Sequence, residues 1–178
     1  MRALFIGGTG NISGAVTKAA LERGIELYHL NRGRRAAPEG VRLLCADMGD
    51  REAVVAALGR LEFDAVVNFI AYKSAEVERD IELFSGRTAQ YVFISSASAY
   101  RKPLATPLIT ESTPLGNPYW DYARDKIACE EVLARAYREK GFPATIVRPS
   151  HTYGEGWLPT SFGSRDFTVA ARMRPDRP

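Results

Sequence analysis

Tyr122 and Lys126, four residues apart in DYARDK, form the pattern richest in possible chemistry. On a helix such residues share a face. The Lys126 ammonium then lies near the Tyr122 phenol, favours its ionised form and lowers its pKa towards a range useful for proton transfer. Upstream, an apolar run YVFI ends in Ser95-Ser96-Ala97-Ser98. A hydroxyl there could polarise the same substrate oxygen that Tyr122 protonates or deprotonates. Tyr-x-x-x-Lys alone recurs by chance, so its weight depends on what surrounds it.

The other chemical stretch is GGTGNISG near the start. Gly7 permits a tight turn off a strand. Gly10 has no side chain to keep a pyrophosphate from backbone N–H groups, and Asn11 and Ile12 open a helix whose positive end faces the anion. A dinucleotide fingerprint wants a third glycine where this chain has Ser13; serine, the next smallest choice, is expected to share close packing with Gly14. At the end of the second apolar run, an NAD site usually carries Asp or Glu for the ribose hydroxyls. Here Asn31-Arg32 stand instead, with Arg34 and Arg35 close by. Guanidinium groups match a phosphate, which favours NADP over NAD. Asp47 and Met48 are placed to contact the adenine, the carboxylate accepting from its amino group and the thioether packing on its face.

These groups need a scaffold that presents them together. Short apolar runs over Arg2–Ile6, Ile25–Leu30, Val41–Leu44, Asp64–Ile70, Tyr91–Ile94 and Ala144–Val147 read as buried strands. Helical patterns over Ile12–Arg23, Asp50–Leu61, Ala75–Phe84 and about Tyr119–Lys140 alternate with them, with Asp50 as an N-cap. A Pro- and Thr-rich loop runs from Arg101 to Pro118, and a short helix is expected around Phe167–Met173. Alternation at this spacing predicts an α/β fold, a doubly wound parallel sheet covered on both faces. Residues 1–156 form the expected nucleotide-binding domain; 157–178 read as the incomplete start of a further region.

With 178 residues and 46% hydrophobic content, the chain is long enough for one domain with a real core. Its net charge of +3 is dispersed among 24 basic and 21 acidic residues, which gives nucleic-acid binding little support. Cys45 and Cys129 fit reduced thiols in a cytoplasmic protein, and the apolar start is too short for a membrane or targeting segment. Two histidines, His29 and His151, do not make a metal site. Tyr119 and Trp120 are expected to pack at the helix start.

The ordered series GGTG, Asp47-Met48, NFIA, SSASAY, Tyr-x-x-x-Lys and RPSHTYG resembles the extended short-chain dehydrogenase/reductase family, in its NAD-dependent epimerase/dehydratase branch, from Met1 to about Gly156. The resemblance implies a Rossmann-like fold and a Ser-Tyr-Lys set. Ser96, four residues before Tyr100, would be the hydroxyl in preference to Ser98; Tyr122 would be the acid/base and Lys126 its partner, also bonding the nicotinamide ribose. Phe69 and Ala71 would line the cofactor, and Pro149 and Ser150 would pack near the nicotinamide. The resemblance also implies hydride transfer with NAD(P), a nucleotide sugar as substrate, and a homodimer formed through two helices of each subunit. The chain departs from the pattern at Ser13, in NFIA where the family reads closer to H-x-A-A, and in the C-terminal substrate lobe, which is absent or truncated. A non-catalytic NAD(P)- or RNA-binding relative, or an inactive fragment of a longer enzyme, are the alternatives.

Overall fold

A computed structural model of the chain describes residues 1–154. Its strands are β1 (Arg2–Ile6), β2 (Glu26–Asn31), β3 (Arg42–Cys45), β4 (Phe63–Asn68), β5 (Thr88–Ile94) and β6 (Ala144–Val147). Its helices are α1 (Asn11–Glu22), α2 (Arg51–Leu58), α3 (Ser74–Phe84) and α4 (Asp121–Lys140). The strands form one parallel sheet in the order β3-β2-β1-β4-β5-β6. From β1 the chain winds outward to β3, then crosses back to β4 on the other side. The loops leaving β1 and β4 therefore diverge, and the crevice between them is where doubly wound sheets bind ligands.

Register brings the strand ends level. Ile6 pairs with Leu30 and Asn68, Asn68 with Phe93, and Phe93 with Ile146. The segments that follow, beginning at Gly7, Phe69 and Ser95, thus emerge along one rim.

Alternation along the strands divides the core. Leu4, Ile6, Leu30, Val66, Tyr91 and Phe93 face one way, against Val54 and Leu58 of α2, Val77, Ile81 and Phe84 of α3, and Cys129 and Leu133 of α4. Ala3, Phe5 and Leu27 face the other way, against Ala20 of α1. Burying each such large side chain contributes about 1.5–3 kcal/mol.

Boundaries shift where local bonding outweighs apolar pattern. β4 ends at Asn68, not Ile70, because the Asn68 Oδ1 accepts from the N–H groups of Ile70 (2.8 Å) and Ala71 (2.9 Å) and draws the chain out of the ladder. β5 starts at Thr88, before the expected Tyr91, since Ala65 pairs with the polar Gln90 and Phe63 with Thr88. α2 stops at Leu58, with Gly59 at φ 51°. Asp50 caps it as expected, accepting from Ala53 N at 3.0 Å. The Pro-rich loop is anchored by a bridge between Tyr100 and Leu115 and preceded by a 3-10 turn, Ala97–Ala99. The helix expected around 167–173 and the region from 157 onward lie outside the described residues. Among the described residues, no helix is long and apolar enough to cross a membrane.

Candidate functional site

A cleft of about 600 Å³ opens at the crevice. The β1–α1 turn contributes Gly7, Gly10, Asn11, Ile12 and Ser13. Phe69, Ile70 and Tyr72 come from the β4 exit, and Ile94, Ser95 and Ser96 from the β5 exit. Trp120, Tyr122 and Lys126 project from the start of α4, and Pro149 and Ser150 follow β6.

The glycine-rich turn is shaped by close approach. Gly7 has φ 81°, and a Cβ there would run into the Ile70 side chain. Ser13 is buried; its Oγ donates to the Gly7 carbonyl (2.9 Å) and accepts from Gly10 N (2.7 Å). It therefore packs closely, as a third glycine would, and also ties the turn shut. Gly14 takes no part in that close packing, because a Cβ there would meet nothing within 4 Å. Gly8 does take part, because a Cβ there would overlap the His29 imidazole. His29 Nε2 lies 3.0 Å from Thr17 Oγ1, and Thr17 Oγ1 donates to the Gly8 carbonyl at 3.3 Å. Burial holds His29 below the usual imidazole pKa. Sequence reasoning missed Gly8, Thr17 and His29; a histidine inside the apolar run ELYHLN was the available signal. Gly10 caps α1, whose first turn carries no acidic residue to offset its positive end.

The remaining expected nucleotide contacts gather beside this turn, outside the residues lining the cleft. Asn31 Oδ1 accepts from Gly33 N at 2.8 Å. Arg32 pairs with Asp47 at 3.9 Å, and Arg34 is exposed. Arg35 Nη1 donates to the Thr9 carbonyl at 3.1 Å, reaching across the turn. Asp47 accepts from Gly49 N at 2.9 Å. Met48 departs from the expectation: it is buried in the larger core cluster with Val54 and Leu58, so its thioether packs inward.

On the opposite side, Lys126 is 1% exposed. Its Nζ donates to the carbonyls of Ala71 (2.7 Å) and Ile94 (2.8 Å) and lies 5.8 Å from the Tyr122 ring centre. Burial lowers its pKa to about 8. The expected depression of the Tyr122 phenol is not found. Burial raises it, and the Ser96 hydroxyl offsets only part of that rise. Ser96 Oγ accepts from Ser98 N (3.1 Å) and from Ser98 Oγ (2.9 Å); Ser96 lines the cleft and Ser98 does not. Phe69 packs edge-on against Phe5 at 5.3 Å, and the Pro149 carbonyl accepts from Ala97 N at 2.9 Å. Ala71 is buried, so its backbone carbonyl is what it offers. Trp120 lies 4.8 Å from the Tyr122 ring yet remains 55% exposed, at the cleft rather than packed under the helix start. Cys45 and Cys129 are free thiols, and no three His, Cys, Asp or Glu side chains among the described residues could hold a metal.

Comparison with known proteins places this geometry in context. A 2'-dehydrokanamycin reductase from Streptomyces kanamyceticus is 28% identical over 158 residues, 88% of this chain and 44% of that protein. The UDP-Glc/GlcNAc 4-epimerase of Campylobacter jejuni superposes with a TM-score of 0.72 at 24% identity, covering 83% of this chain and 52% of that one. A dTDP-glucose 4,6-dehydratase from Bacillus anthracis, solved with NAD, superposes with a TM-score of 0.73 at 19% identity over 87% and 56% of the two chains. The chain thus spans about half the length of these relatives, and the two solved structures share its Rossmann-like fold. Residues 3–174 match the model of the NAD dependent epimerase/dehydratase family, and the chain belongs to that family.

Proposed function

We propose that the cleft seats a nicotinamide dinucleotide, with NADP preferred, and serves an oxidoreductase of the epimerase/dehydratase type acting on a nucleotide sugar. The observation that carries this reading is a single cleft with the glycine-rich turn on one side and Ser96, Tyr122 and Lys126 on the other. A turn that lines the cleft with Gly10 and a helix end without acidic residues fit a pyrophosphate. Gly7, Gly10 and the backbone N–H groups of Asn11 and Ile12 hold it. Asn31, Arg32 and Arg34 take the ribose end and its phosphate, and Asp47 the adenine. Phe69 and Pro149 wall the nicotinamide, and Ala71 acts behind them through the carbonyl that holds Lys126. When bound, the nicotinamide supplies or accepts the hydride.

The chain's own groups move the proton. Ser96 orients the substrate oxygen, Tyr122 exchanges a proton with it, and Lys126 supports the phenol and the adjoining ribose. A phenol held above its usual pKa is protonated at neutral pH, which suits donation to a carbonyl being reduced. The whole protein is proposed as cytoplasmic, without nucleic-acid partners, and as a homodimer.

The test is turnover with UDP- and dTDP-linked sugars and their keto derivatives, followed by nicotinamide absorbance. Tyr122→Phe abolishes turnover while the dissociation constant for NADPH stays within about threefold. Turnover equal to the parent protein's overturns the assignment.

A further inference from the structure

Behind the cleft, two carboxylates are almost wholly buried: Asp80 of α3, at 0% exposure, and Glu130 of α4, at 3%. Asp80 Oδ2 accepts from Asn68 Nδ2 (2.5 Å) and the Tyr91 hydroxyl (2.7 Å), and its Oδ1 from Arg79 Nη2 (3.4 Å). Asn68 in turn holds the N–H groups of Ile70 and Ala71. The Ala71 carbonyl is one of the two acceptors of Lys126.

Glu130 of α4 repeats the arrangement at the end of the neighbouring strand, β5. It accepts from Ser95 Oγ and, twice over, from the Arg148 guanidinium, with Nη2 at 2.6 Å and Nε at 3.0 Å. Ser95 also donates its N–H to the Val147 carbonyl at 2.7 Å. Ser95 directly follows Ile94, whose carbonyl is the second acceptor of Lys126. Each carbonyl gripping the ammonium is therefore backed by a buried carboxylate.

We propose that Asp80 and Glu130 are positioning residues that fix the seat of the Lys126 ammonium, Asp80 through Asn68 and the Ala71 carbonyl, Glu130 through Ser95 and the Ile94 carbonyl. Burying a carboxylate costs several kcal/mol and is seldom recovered as stability, since apolar residues of similar volume do as well or better. What such groups do supply is direction. Asn68 is bonded at both ends of its amide, so it cannot turn without breaking the Asp80 bond or releasing the 70–71 backbone. The Lys126 seat depends on that backbone, because an ammonium shielded from water keeps its charge only while its acceptors stay in place.

The inference rests on Lys126 serving Tyr122, and its test does not require turnover. The full chain is labelled with acetic anhydride, and Lys126, Lys18 and Lys140 are quantified by peptide mass spectrometry. Cys129, fully buried on the same helix, is probed with a maleimide as the reporter of general loosening. Asp80→Ala raises the labelling rate of Lys126 about tenfold, the loss expected for a charge-assisted bond network. Ser95→Ala, which uncouples Glu130 from the Ile94 side, raises it about threefold. Lys18, Lys140 and Cys129 stay at parental rates. Asp80→Asn keeps the shape and a neutral acceptor, gives an intermediate rise, and carries the test where Asp80→Ala does not fold. Lys126 labelling within twofold of the parent in these variants overturns the proposal, and so does a rise that Cys129 shares. A parallel NADPH titration keeps the two readings apart: absence of binding by the parent sinks the cofactor assignment and leaves the labelling result standing.

Discussion

On one bank of the cleft the β1–α1 turn is shaped by side chains that are missing, while on the other Lys126 sits among buried charges. Gly7 and Gly8 leave room for Ile70 and His29, and neutral bonds from Ser13 and Thr17 hold the turn. Lys126, Glu130 and Arg148 form the other bank's frame, with Asp80 behind it. An anion needs bare N–H groups and no competing carboxylate. A proton-transfer pair needs charges held rigidly away from water. One cleft meets both demands only by keeping its ionised side chains on one side.

The largest effect should come from breaking the charged bank. Glu130→Ala leaves the largely buried Arg148 guanidinium without its partner and costs about 3–5 kcal/mol in chemical denaturation. A loss below about 1 kcal/mol would show that Arg148 finds water instead. The neutral bank breaks sterically. Gly8→Ala costs roughly 1–3 kcal/mol by driving a methyl into the His29 ring. Gly14→Ala, with open space around it, is instead neutral or stabilising by about 0.5–1 kcal/mol.

Titration separates the banks next, with a slope of at most about 1.4 kcal/mol per pH unit for one proton. His29 has its folded pKa below the unfolded value, so the unfolded chain binds the extra proton; stability is full above the ordinary imidazole range and falls as pH drops through it. Lys126 has the same sign in another window. Its contribution to stability rises with pH between about 8 and 10.5, and Lys126→Met removes that contribution. Turnover, by contrast, declines above about pH 8 as the ammonium discharges. Ser13→Ala removes two neutral bonds and costs about 1 kcal/mol, with a modest loss of nucleotide affinity.

Much of the cleft was legible in the sequence where its signals are local. A strand, a glycine turn and a helix start follow one another within RALFIGGTGNISG, and Tyr122 and Lys126 are one helical turn apart. What sequence could not supply was the partner across the fold. Asp80, in SAEVERDIELF, reads as one more acid on a solvated helix face until Tyr91 and Asn68 are seen beside it. Met48 reads as packing on the adenine after a short strand, yet it is buried in the core with Val54 and Leu58 of α2. The Tyr122 shift has the same origin: spacing reveals the nearby ammonium, whereas the burial that raises the phenol depends on the whole cleft.

The roles proposed for the glycine-rich turn, Ser96, Tyr122 and Lys126 require that the cleft seat a nicotinamide dinucleotide, and fluorescence titration with NADPH and NADH decides that point. Saturable binding is predicted, tighter for NADPH than for NADH, and lost in Gly7→Val, whose side chain would enter the space held by Ile70. Binding of neither nucleotide by the folded chain, or equal binding by Gly7→Val, contradicts it.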